Sequence, residues 1–295
     1  MGLKLSRKIY GLRNSILLSI KKLSPLLYKL LILIGAVFKF LYNISKKKKF
    51  QNFAKNLDEI NQFEYKKTSQ NNEDGIIDHL LHKLKLNNVN FVEIGFDYFQ
   101  NNSLNLIKKT KKGLFVDGSE EKVFLLKYLL RFFYPMRNIK VTNSMISKDN
   151  INEIISKNFD IEDEIDFLSI DIDGVDYYVF ENLKFRPKIV CIEYNFWYGK
   201  EAKCSIPYSE DFKWDMKSFY SGASLKALCF LANSKDYHLV ALDSSCVNAF
   251  FVRGDLKNLF KALDSEKNFK VPLKYAEDEI KNEKNKLLNR PLVHF

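Results

Sequence analysis

Between residues 90 and 253, short apolar runs alternate with stretches whose apolar positions recur every three or four residues. No other feature of the chain restricts its fold as much. Runs at 90–95, 113–116, 139–142, 166–170, 188–193, 237–241 and 247–253 have strand length. Between or before them, 74–86, 103–109, 120–133, 151–158, 177–183 and 224–235 have helical spacing. Most of the strands are apolar throughout rather than at every second position, which suits burial on both faces. Regular alternation of this kind predicts an α/β fold, with a mostly parallel seven-stranded sheet covered by helices on both sides. An aromatic-rich insertion, 194–220, interrupts the pattern, and a charged stretch helical around 276–288 follows it.

Ligands of an open parallel sheet collect beyond the carboxyl ends of its strands. The residues expected there are Glu93, Gly95 and Asp97; Asp117, Gly118 and Ser119; Asn143 and Ser144; Asp171, Asp173 and Gly174; and Glu193 and Asn195. One polar strand end means little, but five in succession predict a cleft. Asp117 follows Gly95 by 22 residues, where nucleotide-binding β/α units place the acid that accepts from ribose hydroxyls. The first turn, Ile94-Gly95-Phe96-Asp97-Tyr98-Phe99, has no GxGxxG, which disfavours a pyrophosphate cofactor. A ribose-bearing ligand without phosphate, such as S-adenosylmethionine, fits better. Ser119 stands where it can cap the helix at 120–133.

Six segments, in order, resemble FkbM-type S-adenosylmethionine-dependent methyltransferases. They are Ser69-Gln70-Asn71-Asn72-Glu73-Asp74-Gly75, Phe91-Val92-Glu93-Ile94-Gly95, Val116-Asp117-Gly118-Ser119, Asp171-Ile172-Asp173-Gly174, Ile192-Glu193-Tyr194-Asn195 and Asn248-Ala249-Phe250-Phe251-Val252. The resemblance spans about residues 65–253. It implies a class I, Rossmann-like methyltransferase fold and O-methylation of a sugar or glycan precursor. Gln70 and Glu73 are then expected to close over the cofactor, with Glu93, Gly95 and Asp97 on its methionine side, Asp117 at the ribose, Ser144 near the adenine, and Ser119 and Asp171 also in contact. Asp171, Asp173 and Glu193 are the candidate catalytic groups, as base or as ligands of one Mg²⁺. A plain turn at Asp173-Gly174 is the bland alternative. Asn195, Trp197, Tyr198 and His238 are assigned to the acceptor, although His238 also suits a structural role at the start of a strand. Two other readings stay open. Asp171-Ile172-Asp173 could hold a metal against a nucleotide sugar, as in glycosyltransferases, or the chain could be a non-catalytic, membrane-tethered relative.

Charge enters the argument through its distribution. The chain has 295 residues and a formal net charge of +11. Residues 1–50 hold 12 basic side chains and no acid, leaving 35 basic against 36 acidic groups in the remainder. The body is thus neutral, against nucleic-acid binding. Leu23–Tyr42 is long enough to span a bilayer but contains Lys29 and Lys39. Lys21, Lys22, Lys29 and Lys39 share one arc of a helical wheel, with apolar residues around the rest. This segment could lie in an anionic membrane surface, cross it, or pack on the body. Because S-adenosylmethionine is a cytoplasmic cofactor, the membrane face expected is the cytoplasmic one. Met1-Gly2 with Ser6 also matches a short myristoylation pattern. The four cysteines show no zinc spacing and suit a reducing compartment. The expected organisation is a membrane-associating segment (1–50), a linker (51–68), a catalytic domain (69–253) and a charged tail (254–295).

Overall fold

A computed structural model describes residues 17, 19–45, 54 and 57–295. The readings on Met1–Ser6 and on Lys46–Lys49 fall outside them. The centre is a seven-stranded sheet in the order β3-β2-β1-β4-β5-β8-β7. Its strands are β1 (Val89–Ile94), β2 (Thr110–Asp117), β3 (Ile139–Asn143), β4 (Phe167–Ile170), β5 (Ile189–Glu193), β7 (Tyr237–Leu242) and β8 (Asn248–Arg253). Strands β1 to β5 pair in parallel, while β8 runs antiparallel to both β5 and β7. This order, with one reversed strand between β5 and the edge, is the class I methyltransferase fold.

Side-chain alternation in β1 shows why its run is apolar throughout. Phe91 faces one core with α2 (Glu73–Lys83) and α3 (Glu120–Phe133), together with Leu80 and Leu126. Val92 and Ile94 face the other, with α4 (Ile151–Ser156), α5 (Asp176–Asn182) and α6 (Leu225–Ser234). Helix α3 begins and ends where its periodicity predicts. Ser119 is its N-cap and accepts from the Lys122 amide at 3.4 Å. The predicted helix at 103–109 is a 3₁₀ segment, Leu104–Lys109. The insertion holds the 3₁₀ turn Phe196–Tyr198 and the short strand β6 (Cys204–Ser205).

Two boundaries differ from the sequence expectation. From residue 57 onward the polar stretch before 69 is no linker. Asn61 donates to the Leu242 carbonyl at 2.8 Å, and buried Glu64 accepts from the Ser244 amide at 2.8 Å. The charged stretch 254–295 is equally part of the fold. Lys270 is fully buried against Asp58, α7 (Glu277–Leu288) packs on Phe196–Tyr198, and β9 (Val293–His294) pairs with β6. These polar segments fold because their charges find partners far along the chain, which composition cannot reveal.

Helix α1 (Pro25–Ser45) lies along α3. Ala36 and Phe40 are buried, and the Phe40 ring stacks on Phe133 at 5.2 Å. Tyr28 donates to Glu121 at 2.6 Å. The helix therefore packs on the body along one side.

Candidate active site

The register of the sheet builds the site. Ile94 pairs with Val116 and Ile170, and Ile170 pairs with Ile192. One step further on, Asp117, Gly95, Asp171 and Glu193 therefore stand in a row across β2, β1, β4 and β5. The row continues to Asn143 beside Asp117 and to Asn248 beside Glu193. β1 and β4 are adjacent while their connections run to opposite sides, so the row sits at the topological switch point.

Gly95 is what lets the row close up. Its φ is +75°, and a Cβ there would stand 1.7 Å from the Asp171 carbonyl oxygen. Asp117 is held from two sides, accepting from the Phe96 amide at 3.1 Å and the Ser119 amide at 2.7 Å. Lys122 approaches it at 3.4 Å. The turn after β4 is shaped by buried Asp176, which accepts from the amides of Ile172 and Gly174, both at 2.9 Å. It places Asp173 at φ +58°. One carboxylate oxygen each of Asp171, Asp173 and Glu193 lies within 4.8 Å of the other two. Burial and then the neighbouring Asp173 push Asp171 up to about 8. Burial and then Asp171 hold Glu193 well above the usual carboxylate range. At neutral pH the group retains protons that isolated carboxylates would release. Such a set can hold a proton near neutrality, and its oxygen donors also suit a hard divalent cation.

Two hollows meet at this row. One, of about 290 Å³, is lined by Gly95, Asp117, Ser119, Asp171 and Asp173, with Met145 and Ile146 on one wall and Phe212 and Trp214 on the other. The second, of about 140 Å³, is lined by Glu193, Asn195, Trp197, Phe219 and Val247. Asp173 and Trp214 border both. The arrangement offers a cofactor-sized cleft beside a smaller aromatic one, with the carboxylates at their junction.

Gly95, Asp117, Ser119, Asp171, Asp173, Glu193, Asn195 and Trp197 are thus brought together. Other predicted residues take different places. Glu93 is buried beneath the row, where it accepts from the Asn102 amide at 3.1 Å and from Ser103 at 2.5 Å. It shapes the loop rather than the wall. Asp97 accepts from the Phe99 amide at 3.3 Å, within the same loop. Glu73 is fully buried, accepting from the Asn71 amide at 2.8 Å and from Asn248 at 3.1 Å. Gln70 is exposed, and its carbonyl accepts from Lys66. Ser144 yields its place on the wall to Met145 and Ile146. Tyr198 is buried with its hydroxyl 3.3 Å from the Ser221 carbonyl, so it supports the insertion from below. His238 sits opposite Val252, which also pairs with Ile189, so it lies at the far end of the sheet from the row. Its assignment to the acceptor does not hold, because β7 runs parallel to β5 and the site gathers at the other end.

Lys122, Asp176, Phe212 and Lys213 are missing from the sequence reading. Lys122 had a signal, being in the first turn of a helix that starts at a strand end. Phe212 and Lys213 had none, since no periodicity fixes where an irregular insertion folds back.

No family model matches the sequence, and no curated protein matches it. Among solved structures, an S-adenosylmethionine-dependent methyltransferase from Clostridium acetobutylicum is similar at 12% identity. It covers 62% of this chain and 90% of its own, with a TM-score of 0.41. The magnesium protoporphyrin IX methyltransferase of Synechocystis, with bound S-adenosylhomocysteine, gives 9% identity over 61% and 81%, with a TM-score of 0.41. M. capricolum TrmK, also with S-adenosylhomocysteine, gives 18% identity over 69% and 73%, with a TM-score of 0.36.

Proposed function

We propose that the chain is an S-adenosylmethionine-dependent O-methyltransferase of FkbM type, acting on a hydroxyl of a sugar or glycan precursor. The observation that carries this reading is the row Asp117–Gly95–Asp171–Glu193 at the junction of two unequal hollows. The larger hollow fits the cofactor. It has a fixed carboxylate at its β2 edge, a glycine at its floor and no glycine run to receive a pyrophosphate.

Bound S-adenosylmethionine supplies an electrophilic methyl group; the rest falls to the protein. Asp117 accepts from the ribose hydroxyls, with its carboxylate already oriented by the Phe96 and Ser119 amides. Trp197 and Phe219, stacked at 4.1 Å, offer an apolar face to a sugar ring in the smaller hollow. An alcohol is a weak nucleophile, so its proton must leave as the new bond forms. We assign that proton to the ionised form of Asp171 or Glu193, which burial and the neighbouring carboxyls make more basic than an ordinary carboxylate. Mg²⁺ on Asp171, Asp173 and Glu193 would serve the same end by lowering the alcohol pKa.

The test joins binding and turnover. Calorimetry with S-adenosylhomocysteine should show Asp117→Ala weaker by about 1.5–3 kcal/mol. Labelled S-adenosylmethionine should pass its methyl to a glycan or lipid-linked glycan fraction, with and without chelator. Equal binding by Asp117→Ala removes the cofactor assignment, and tight binding with no methyl transfer to any acceptor removes the activity.

A further inference from the structure

Helix α1 is apolar on two sides, the one that docks on the body and the one that faces solvent. In a surface helix of a water-soluble domain, charges face solvent and apolar residues face the core. Here apolar residues line both sides, while Lys29 and Lys39 stay exposed at the border of the docked arc. Lys29 lies over the Phe124 ring at 5.5 Å and Lys39 over Phe99 at 4.0 Å, flanking buried Ala36 and Phe40. The opposite arc is solvent-facing and apolar, with Leu26 81% exposed and Phe38 70%, and with Leu30, Ile34 and Leu41 between or beyond them.

Exposed apolar side chains also occur at the end of α3 and just beyond it. Phe133, which stacks on Phe40, contacts Phe132 at 5.0 Å, and Phe132 is 76% exposed. Met136 beyond it is 93% exposed. The 21 residues of α1 extend about 30 Å. Exposed apolar side chains along that length, with others at the end of the neighbouring α3, mark a contact surface.

We infer that this surface docks in the plane of an anionic bilayer leaflet, with α1 still packed on α3 rather than crossing the membrane. Charge selects the occupant. Lys21, Lys22, Lys29 and Lys39 are exposed along this segment and residues 19–45 contain no acid, so a second copy laid on it would oppose like charge with like charge, whereas acidic headgroups complement it. Crossing would require Ala36 and Phe40 to leave the core and would carry two lysines into hydrocarbon. The dock does not depend on methyl transfer.

The experiment uses the full chain in co-sedimentation with phosphatidylglycerol vesicles and with phosphatidylcholine vesicles, alongside sedimentation velocity without lipid. Wild type should partition at least tenfold better into the anionic vesicles. Leu30→Glu with Phe38→Glu should lose at least tenfold of that partition, and Phe132→Glu on α3 several-fold. Both variants should keep the wild-type melting curve, because the altered side chains point away from the core. Equal partition of wild type into both lipids, or full binding by the double variant, overturns the inference. Loss in the double variant with Phe132→Glu unaffected overturns it in favour of a released, crossing helix. A lipid-free dimer that the double variant dissociates assigns the surface to a second copy. S-adenosylhomocysteine affinity, read on the same samples, reports separately on the proposed activity.

Discussion

At the scale of single residues, Gly95 and Asp171 set opposite limits on the site. Gly95→Ala would drive a methyl group into the Asp171 carbonyl and strain a backbone held at φ +75°. We expect a loss of about 3 kcal/mol or more in chemical denaturation, together with loss of S-adenosylhomocysteine binding. Asp171 carries a different cost. Its carboxyl is raised to about 8 in the fold, against about 4 in an unfolded chain. The native state therefore binds a proton that the unfolded state releases, and stability from this group falls as pH rises through that window. Asp171→Asn should accordingly gain stability relative to wild type between about pH 5 and about pH 8, as urea titrations at several pH values would show. If Asp171 is also the base, methyl transfer by wild type should climb with pH toward about 8, and the variant should lose that limb. The strand-end residues Gly95, Asp117, Asp171 and Glu193 were legible in the sequence because short apolar runs mark where strands stop. His238 was misplaced because which end of a strand meets the site depends on pairing, here with β8, and Tyr198 because local pattern does not set how its 3₁₀ turn packs.

At the scale of elements, the same contrast separates α3 from the two polar stretches. Helix α3 was readable to its ends from its N-cap and its apolar spacing, both local properties. The stretch 57–68 and the stretch 254–295 were not, because the charge on Lys270 is answered by Asp58, 212 residues away. Lys270 also donates to the Leu242 carbonyl at 3.3 Å, which ties both stretches to the end of β7. Removing Asp58 leaves a buried ammonium without its counter-charge. Asp58→Ala should therefore cost about 3–5 kcal/mol, whereas Lys270→Met with Asp58→Asn should recover much of that loss. Thermal melts of the three proteins would decide, and a near-neutral Asp58→Ala would show that the two stretches dock by apolar contact alone.

At the scale of the whole molecule, the sheet, the loop after β1 and the outer helix form one mechanical path. The sequence announced the sheet through its alternation and the outer helix through its composition, but not their junction. That junction is made by Lys39, whose ammonium lies over the Phe99 ring, two residues from Asp97. The Phe96 amide of that loop donates to Asp117 on the cleft wall, so seating of α1 and filling of the cleft both bear on Phe96–Phe99. Any free energy they exchange must be symmetric. Whatever factor a bound S-adenosylhomocysteine applies to the affinity for anionic vesicles, vesicles must apply the same factor to the affinity for S-adenosylhomocysteine. Paired titrations on wild type and on Lys39→Gln would measure that factor twice over, and it should shrink toward one in the variant. Through this contact, the lipid-docking surface proposed above would set how firmly the chain keeps its small ligand, and the ligand would set how long the chain stays on the lipid.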